Sequence, residues 1–508
     1  MKNTTLTITL LALAYVALCP ITQAVVPAPD GGYPNFTTAE GTNALQNLTT
    51  GSANTAVGWF SLFSNADGSF NTATGAGTLL FNTGANNTAT GAAALLFNSD
   101  GEDNTAVGAA ALLNNTATGN TAIGSNALLN NTTGGTLENI QGSDVGPNVA
   151  VGWEALESNT VASANTAVGY QALHSFTTGP VGLEHLGLCT AVGFQALANT
   201  NGNGAGNSGF GYQALMNNTD GAANTAIGVG ALSSNTHGTS NVATGVGALA
   251  GNDTGDNNTA TGFGALAGNQ TGDSNTAVGS DALFTNTIGG VNTAIGQDAL
   301  FANDGNNNTA VGTGALSANT SGNGSTALGS GAGSSVTTAD NVICIGAGVS
   351  GANVANSCFI GNIFGATSAN GIGVFINSSG QLGTMTSSER FKENIKPMDK
   401  ASEALLALRP VSFRYKKEID SAGTSQLGLV AEEVEKVNPD LIVRDKEGKP
   451  FSVRYDQVNA MLLNEFLKEH ATVQKLKKEI AILKAGLQKV SAEIETNRPE
   501  PRVASNRD

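Results

Sequence analysis

Between Asn3 and Glu389 the chain carries neither lysine nor arginine. Of its 23 basic residues, 22 lie from Arg390 onward, whereas the 39 acids divide almost evenly about that point. Residues 25 to 388 thus carry a net charge of −19 and residues 389 to 508 one of +2. An acid-only segment cannot neutralise phosphates, which makes nucleic acid and anionic lipid poor partners for it. Long apolar runs are equally scarce. Beyond Leu6 to Leu18 no stretch is apolar enough to span a bilayer, so no transmembrane anchor is expected. The histidines, His174, His185, His237 and His470, are scattered without metal-ligand spacing in the sequence. Past residue 24 the cysteines are Cys189, Cys344 and Cys358, an odd number, and the strand parity of the last two argues against a bridge. Glycine-rich runs such as Gly329 to Gly333 lack the Lys-Ser/Thr ending of a phosphate loop. Neither a metal nor a cofactor is expected.

What is present begins with Lys2, the apolar run Leu6 to Leu18 and the small-residue end Thr22-Gln23-Ala24. That order reads as a secretory signal peptide over residues 1–24, and predicts a secreted or cell-surface protein. Cys19 does not make a lipoprotein site, because Leu18 is too large before a lipidated cysteine and Pro20 follows.

Repetition dominates residues 25–361. The pattern Asn-Thr-Ala-Val-Gly-x-x-Ala-Leu opens at Asn54 and recurs with its first position at 71, 87, 104, 120, 148, 165, 189, 207, 224, 241, 258, 275, 292, 308 and 325. A copy one residue longer starts at 341, and a weaker one, Thr37 to Leu45, precedes the series. Most spacings are 16 to 18, and the two longer ones, 120 to 148 and 165 to 189, carry inserts that map to protruding loops. One repeat is too short to bury a core alone, so its Thr-Ala-Val stretch is predicted to be the strand of one coil in a stacked parallel β-solenoid. The residue before the glycine (Val57, Ile123, Val168, Ile227, Val278, Ile295) and the leucine five residues on (Leu62, Leu128, Leu173, Leu232, Leu283, Leu300) are expected to form inward ladders. The asparagines (Asn104, Asn120, Asn165, Asn224) are expected to form a turn ladder, with glycine supplying clearance. The Asp residues of the repeats sit mostly at loop positions (Asp253, Asp256, Asp273, Asp304), where solvated turn acids are the expectation rather than a glycosidase pair.

These repeats resemble the heads of trimeric autotransporter adhesins, left-handed parallel β-rolls with an Asn-x-hydrophobic-Ala-hydrophobic-Gly motif; Asn341 to Gly346 fits it best. The period here is longer than in those heads, and the polar ending TNRPEPRVASNRD, read as a disordered tail over 496–508, does not resemble their C-terminal barrel segment. The resemblance implies a homotrimer.

Residues 362–386 change texture, and Val374-Phe375-Ile376, a turn at Ser378-Ser379-Gly380 and Gln381-Leu382 read as a hairpin or neck. Residues 387–458 read as a small α+β domain: Leu405 to Tyr415 as a strand-forming stretch, Gly428 to Val437 as a helix, Asp440 to Tyr455 as further strand and turn. From Asn459 to residue 495 a heptad runs through Phe466, Val473, Ile480, Leu487 and Ile494 at one seam position and Leu462, Leu476, Leu483 and Val490 at the other. That pattern predicts a coiled coil. The fold class expected is therefore mainly β: a trimeric parallel β-solenoid of 16–17-residue repeats, a small α+β domain and a C-terminal coiled-coil helix.

The run Ser387-Ser388-Glu389-Arg390-Phe391-Lys392-Glu393-Asn394-Ile395, followed by Leu408 to Tyr415 and Gly428 to Val434, resembles the intramolecular chaperone auto-processing domain at the ends of phage tailspikes and endosialidases. Here Ser388 stands where that family has Asp, and Glu432 where it has Gln. The resemblance implies that Ser387 is a nucleophile, Lys392 its general base, and Thr386-Ser387 the scissile bond; the residues themselves add Arg390 as a supporting cation and Ser388, four residues before Lys392 and so on its face of a helix, as the rival serine. The residue types suit the chemistry, because a serine hydroxyl is a weak nucleophile until a neutral lysine takes its proton. Taken without that resemblance, either serine would serve as a helix N-cap and Lys392 would be solvated. Two function classes follow: a trimeric tail-fibre-like protein that self-cleaves, and a non-enzymatic structural or adhesive fibre with an uncleaved stalk. An ice- or glycan-binding face fits less well, since the threonines are single per coil. Any extracellular or host-surface ligand is unidentified by the sequence.

Overall fold

A computed structural model describes residues 34–134, 138–140, 143–179, 186–377 and 379–498. The segment read as a signal peptide, His185, Ser378 and most of the predicted tail lie outside the described residues. The chain forms two compact units, one ending at Ala366 and the other starting at Thr367.

The first unit is a parallel β-solenoid. Three-residue strands from Thr38–Glu40 to Cys358–Ile360 join in a 19-stranded sheet. Each strand pairs in parallel with the same stretch of the next coil, as in Thr38 with Thr55 and Ala39 with Ala56. Strand Thr121–Ile123 pairs directly with Val149–Val151, so the insert between them, which holds the antiparallel hairpin Glu138–Ile140 and Ser143–Val145, leaves the stack unbroken. The weak first copy is a coil, and the last strand, Cys358–Ile360, extends the stack one coil beyond the repeat starting at 341.

The leucine ladder is inward as expected: Leu62, Leu128, Leu173, Leu232, Leu283 and Leu300 are fully buried. The ladder expected of Val57, Ile123, Val168, Ile227, Val278 and Ile295 is not inward. Ile227 is 45% exposed, while Ala226 beside it is 0% exposed, and the other strands repeat this parity. Neighbours in a strand point to opposite faces, so only the central residue of Thr-Ala-Val can face in. Alanine holds that position in most coils, opposite leucine.

The buried leucine carries a backbone feature that the pattern does not disclose. Leu62 and Leu232 both have φ of 52°, in the left-handed region. That conformation costs an L-residue about 1–2 kcal/mol, and burying the side chain offsets it with about 1.5–3 kcal/mol. It also aims the amide along the stack, where Leu62 N donates to Thr78 O at 3.0 Å. The motif glycine is required for a related reason: Gly58 has φ of 136°, and a Cβ there would sit 2.3 Å from Gly75 O.

Asparagine ladders finish each coil. Asn54 Oδ1 accepts from Asn71 N at 2.9 Å, and Asn71 Oδ1 accepts from Asn87 N at 2.9 Å. Asn104, Asn120, Asn165 and Asn224 occupy the same fully buried station. A second buried asparagine ladder, not anticipated, includes Asn235 and Asn252, where Asn252 Nδ2 donates to Asn235 Oδ1 at 2.7 Å.

The second unit opens with the expected hairpin, Val374–Ile376 with Leu382–Thr384. A 3-10 helix spans Asp399–Ala407, so the predicted strand stretch from Leu405 shortens to Val411–Phe413, which pairs with Gln426–Gly428. The cause is local: Arg409-Pro410 follows Leu408, and only beyond that proline does the β-branched and aromatic run begin. The helix Ala431–Val437 and the hairpin Ile442–Arg444 with Pro450–Val453 complete the small domain around Val434, Leu441, Ile442, Val453 and Met461. The long helix Tyr455–Thr496 follows. Its heptad positions are exposed in the single chain, with Leu487 at 71% and Ile494 at 67%. Among the described residues no helix is long and apolar enough to cross a membrane.

Candidate active site

Ser387 and Ser388 lie just past the neck hairpin, in extended chain that leads into a single 3-10 turn, Glu389–Phe391. Ser388 is at the N-cap of that turn, with φ of −65° and ψ of 137°, and its side chain makes no capping hydrogen bond. The turn ends at once. Lys392 is already extended, at φ −119° and ψ 142°, with its amide on Glu389 O at 3.0 Å.

This short turn decides which serine meets the lysine. On a full helix Ser388 and Lys392, four apart, would share a face. The observed turn instead brings the Lys392 ammonium to Ser387 Oγ, to which it donates at 3.0 Å. Arg390 turns aside, its guanidinium carbon 4.5 Å above the Phe391 ring. Thr386, Ser387, Ser388, Arg390 and Lys392 are all exposed in the single chain. An amine at hydrogen-bond distance from a hydroxyl can relay a proton to and from it once the amine is neutral.

The site is followed by a framework of close contacts. Arg409 forks onto Glu433, Nε to Oε2 at 3.0 Å, tying the chain before strand Val411–Phe413 to helix Ala431–Val437. The Arg409 guanidinium holds the Glu433 carboxyl below its ordinary range, and that carboxylate raises the arginine in turn. Leu429 N donates to the Tyr455 hydroxyl at 3.0 Å. Residues 387–443 match the family model described as chaperone of endosialidase.

The match covers the serine–lysine pair, the Arg409–Glu433 fork and helix Ala431–Val437, so the resemblance seen in the Ser387 to Ile395 motif is borne out. The matched segment ends ahead of the long helix Tyr455–Thr496. No curated protein matches the chain.

Contacts that sequence reasoning missed lie around Ser402, which is buried. Asn464 Nδ2 donates to its Oγ at 2.6 Å, Lys468 Nζ approaches it at 3.3 Å, and its hydroxyl donates to Glu465. Glu465 is held below its ordinary range by Lys468 first and Ser402 second. The partners are more than sixty residues apart in sequence, and nothing in the local pattern marks Ser402 as their meeting point. In the solenoid, Cys189 occupies a station of the asparagine ladder, with its thiol pushed up to about 11 by burial. A thiol so placed is a packing group, not a nucleophile.

Proposed function

We propose that this protein is an exported, homotrimeric fibre whose C-terminal segment is an intramolecular chaperone that directs trimerisation and then cuts the chain between Thr386 and Ser387. The contact between Lys392 Nζ and Ser387 Oγ at 3.0 Å carries the reading, and the family match over 387–443 supports it. In the reaction Lys392, as the neutral amine, accepts the hydroxyl proton while Ser387 Oγ adds to the Thr386 carbonyl carbon. The C–N bond breaks, the proton passes from Lys392 to the departing Ser387 amine, and water hydrolyses the resulting ester. Both side chains are exposed in one chain, and a lysine acts as a base most readily where water is excluded. Assembly of the trimer supplies that exclusion, so cutting follows assembly.

Trimerisation is supported by the exposed apolar seam of helix Tyr455–Thr496, whose heptad spacing is the one that packs against other helices of its kind in a coiled coil. Denaturing gels of expressed variants test the dyad. Wild type and Ser388→Ala give two fragments, while Ser387→Ala and Lys392→Met give one intact band from a chain that still trimerises. A cut Ser387→Ala beside an intact Ser388→Ala would transfer the role to Ser388, and no cutting in wild type would leave the uncleaved fibre.

A further inference from the structure

Within the solenoid, far in sequence from the serine–lysine pair, three side chains of two successive coils converge. Glu154 and Glu157 follow the glycine of one coil by two and five residues, and His174 follows the next glycine by five. His174 Nε2 lies 2.6 Å from Glu157 Oε2 and 3.6 Å from Glu154 Oε2, and one ligand atom from each residue falls within 4.8 Å of the others. Their side chains are largely shielded, at 10%, 12% and 23% exposure for Glu154, Glu157 and His174. The backbone beneath them is fixed by the stack, with Leu156 N on Ala172 O at 3.0 Å and Ser158 N on His174 O at 3.1 Å.

The charge balance there is unusual. Two shielded carboxylates face one imidazole in a segment that has no lysine or arginine from residue 3 to residue 389. A separate line of amides converges on the same point. Gln213 donates to Gln195 at 3.1 Å, Gln195 to Gln171 at 3.0 Å, and Gln171 to Glu154 Oε2 at 2.9 Å. This chain of donors holds Glu154 in place at its accepting end, as an outer layer orients a ligand.

We infer that Glu154, Glu157 and His174 form a binding site for a divalent transition metal of the zinc type. One nitrogen and two carboxylate oxygens are the donor set such ions take, whereas calcium requires six to eight oxygens. The metal replaces the proton between His174 and Glu157 and draws those atoms apart to roughly 3.3 Å, the span of two ligands at about 2.0 Å in a tetrahedron. The imidazole then carries its proton on Nδ1, which faces Ser175 Oγ at 3.5 Å. Binding releases no covalent product; the metal crosslinks two adjacent coils beside the longest inserts.

Calorimetric titration of the full-length, EDTA-stripped chain with zinc chloride, and separately with calcium chloride, tests the site. One zinc ion per chain is expected, bound at least about tenfold more weakly by His174→Gln and Glu157→Gln, since even an outer-layer partner carries that cost. His237→Gln, whose imidazole lies 3.6 Å from Asp220 on an exposed loop, keeps wild-type affinity, and calcium gives no binding. A readout on the unaltered site uses Trp59→Phe, in which nickel should quench the remaining Trp153, next to Glu154, saturably. No zinc binding by wild type, equal affinity in all the variants, calcium binding that survives His174→Gln, or no saturable quenching would overturn the inference.

Discussion

At the scale of single residues, parity outranks hydrophobicity. Valine and isoleucine are the most apolar members of the strand, yet alanine is the one that faces in, because a three-residue strand has a single inward position. The sequence does show the alternation; it does not show which of two apolar neighbours the coil turns toward its leucine. Ala226→Leu should therefore destabilise the solenoid by about 1–3 kcal/mol through overpacking, whereas Ile227→Thr, one residue on, should change stability by no more than about 0.5 kcal/mol. Urea midpoints of the two variants check this, and the reverse order would contradict the assigned parity. The serine–lysine pair was legible as spacing and motif. The family motif pointed to Ser387, but residue spacing alone did not separate it from Ser388, because the contact depends on the 3-10 turn stopping at Phe391.

Elements of this protein are made by repetition in space, and the repeated hydrogen bonds are what stabilise them. In Asn241, Oδ1 accepts from Asn258 N at 2.9 Å and Nδ2 donates to Gly255 O at 2.8 Å, all out of water. Asn241→Ala strands the Asn258 amide and should cost about 1–3 kcal/mol, seen as a lower urea midpoint with unchanged β-type circular dichroism; an unshifted midpoint would remove the ladder from the account. The first asparagine ladder was visible as the leading letter of each repeat. The second was hidden in turns whose composition varies. The same blindness applied to His174, which looked isolated because its partner Glu157 is one coil, seventeen residues, away. In the C-terminal unit, the heptad announced the helix, but the ties of Asn464 and Glu465 to Ser402 show that its first turns belong to the small domain. Ending the chain after Glu469 keeps Met461 and those ties while removing the seam from Val473 onward. Such a chain should be folded, monomeric and uncut; light scattering that finds a trimer, or a gel that finds cleavage, would separate assembly from the helix.

For the molecule as a whole, the boundary in charge at Arg390 separates two kinds of folding problem. The solenoid is built from contacts between coils, with parallel pairing along its length, and acid-only chains repel one another while their strand edges are open. Helical association of a local heptad is fast, non-local sheet formation slow, and in the proposed function a helix that gathered three chains would give the coils a common register. In the proposed function, removal of that helix afterwards would take away the element through which the assembly could reopen, and the fibre would persist by its unfolding rate. Everything in this sequence of events turns on one bond. Mass spectrometry of the expressed full-length chain, first native and then denatured, measures it directly: a native trimer that resolves on denaturation into two polypeptides, the smaller beginning at Ser387, is the result expected. A single polypeptide spanning Thr386 and Ser387 after assembly is complete would contradict it.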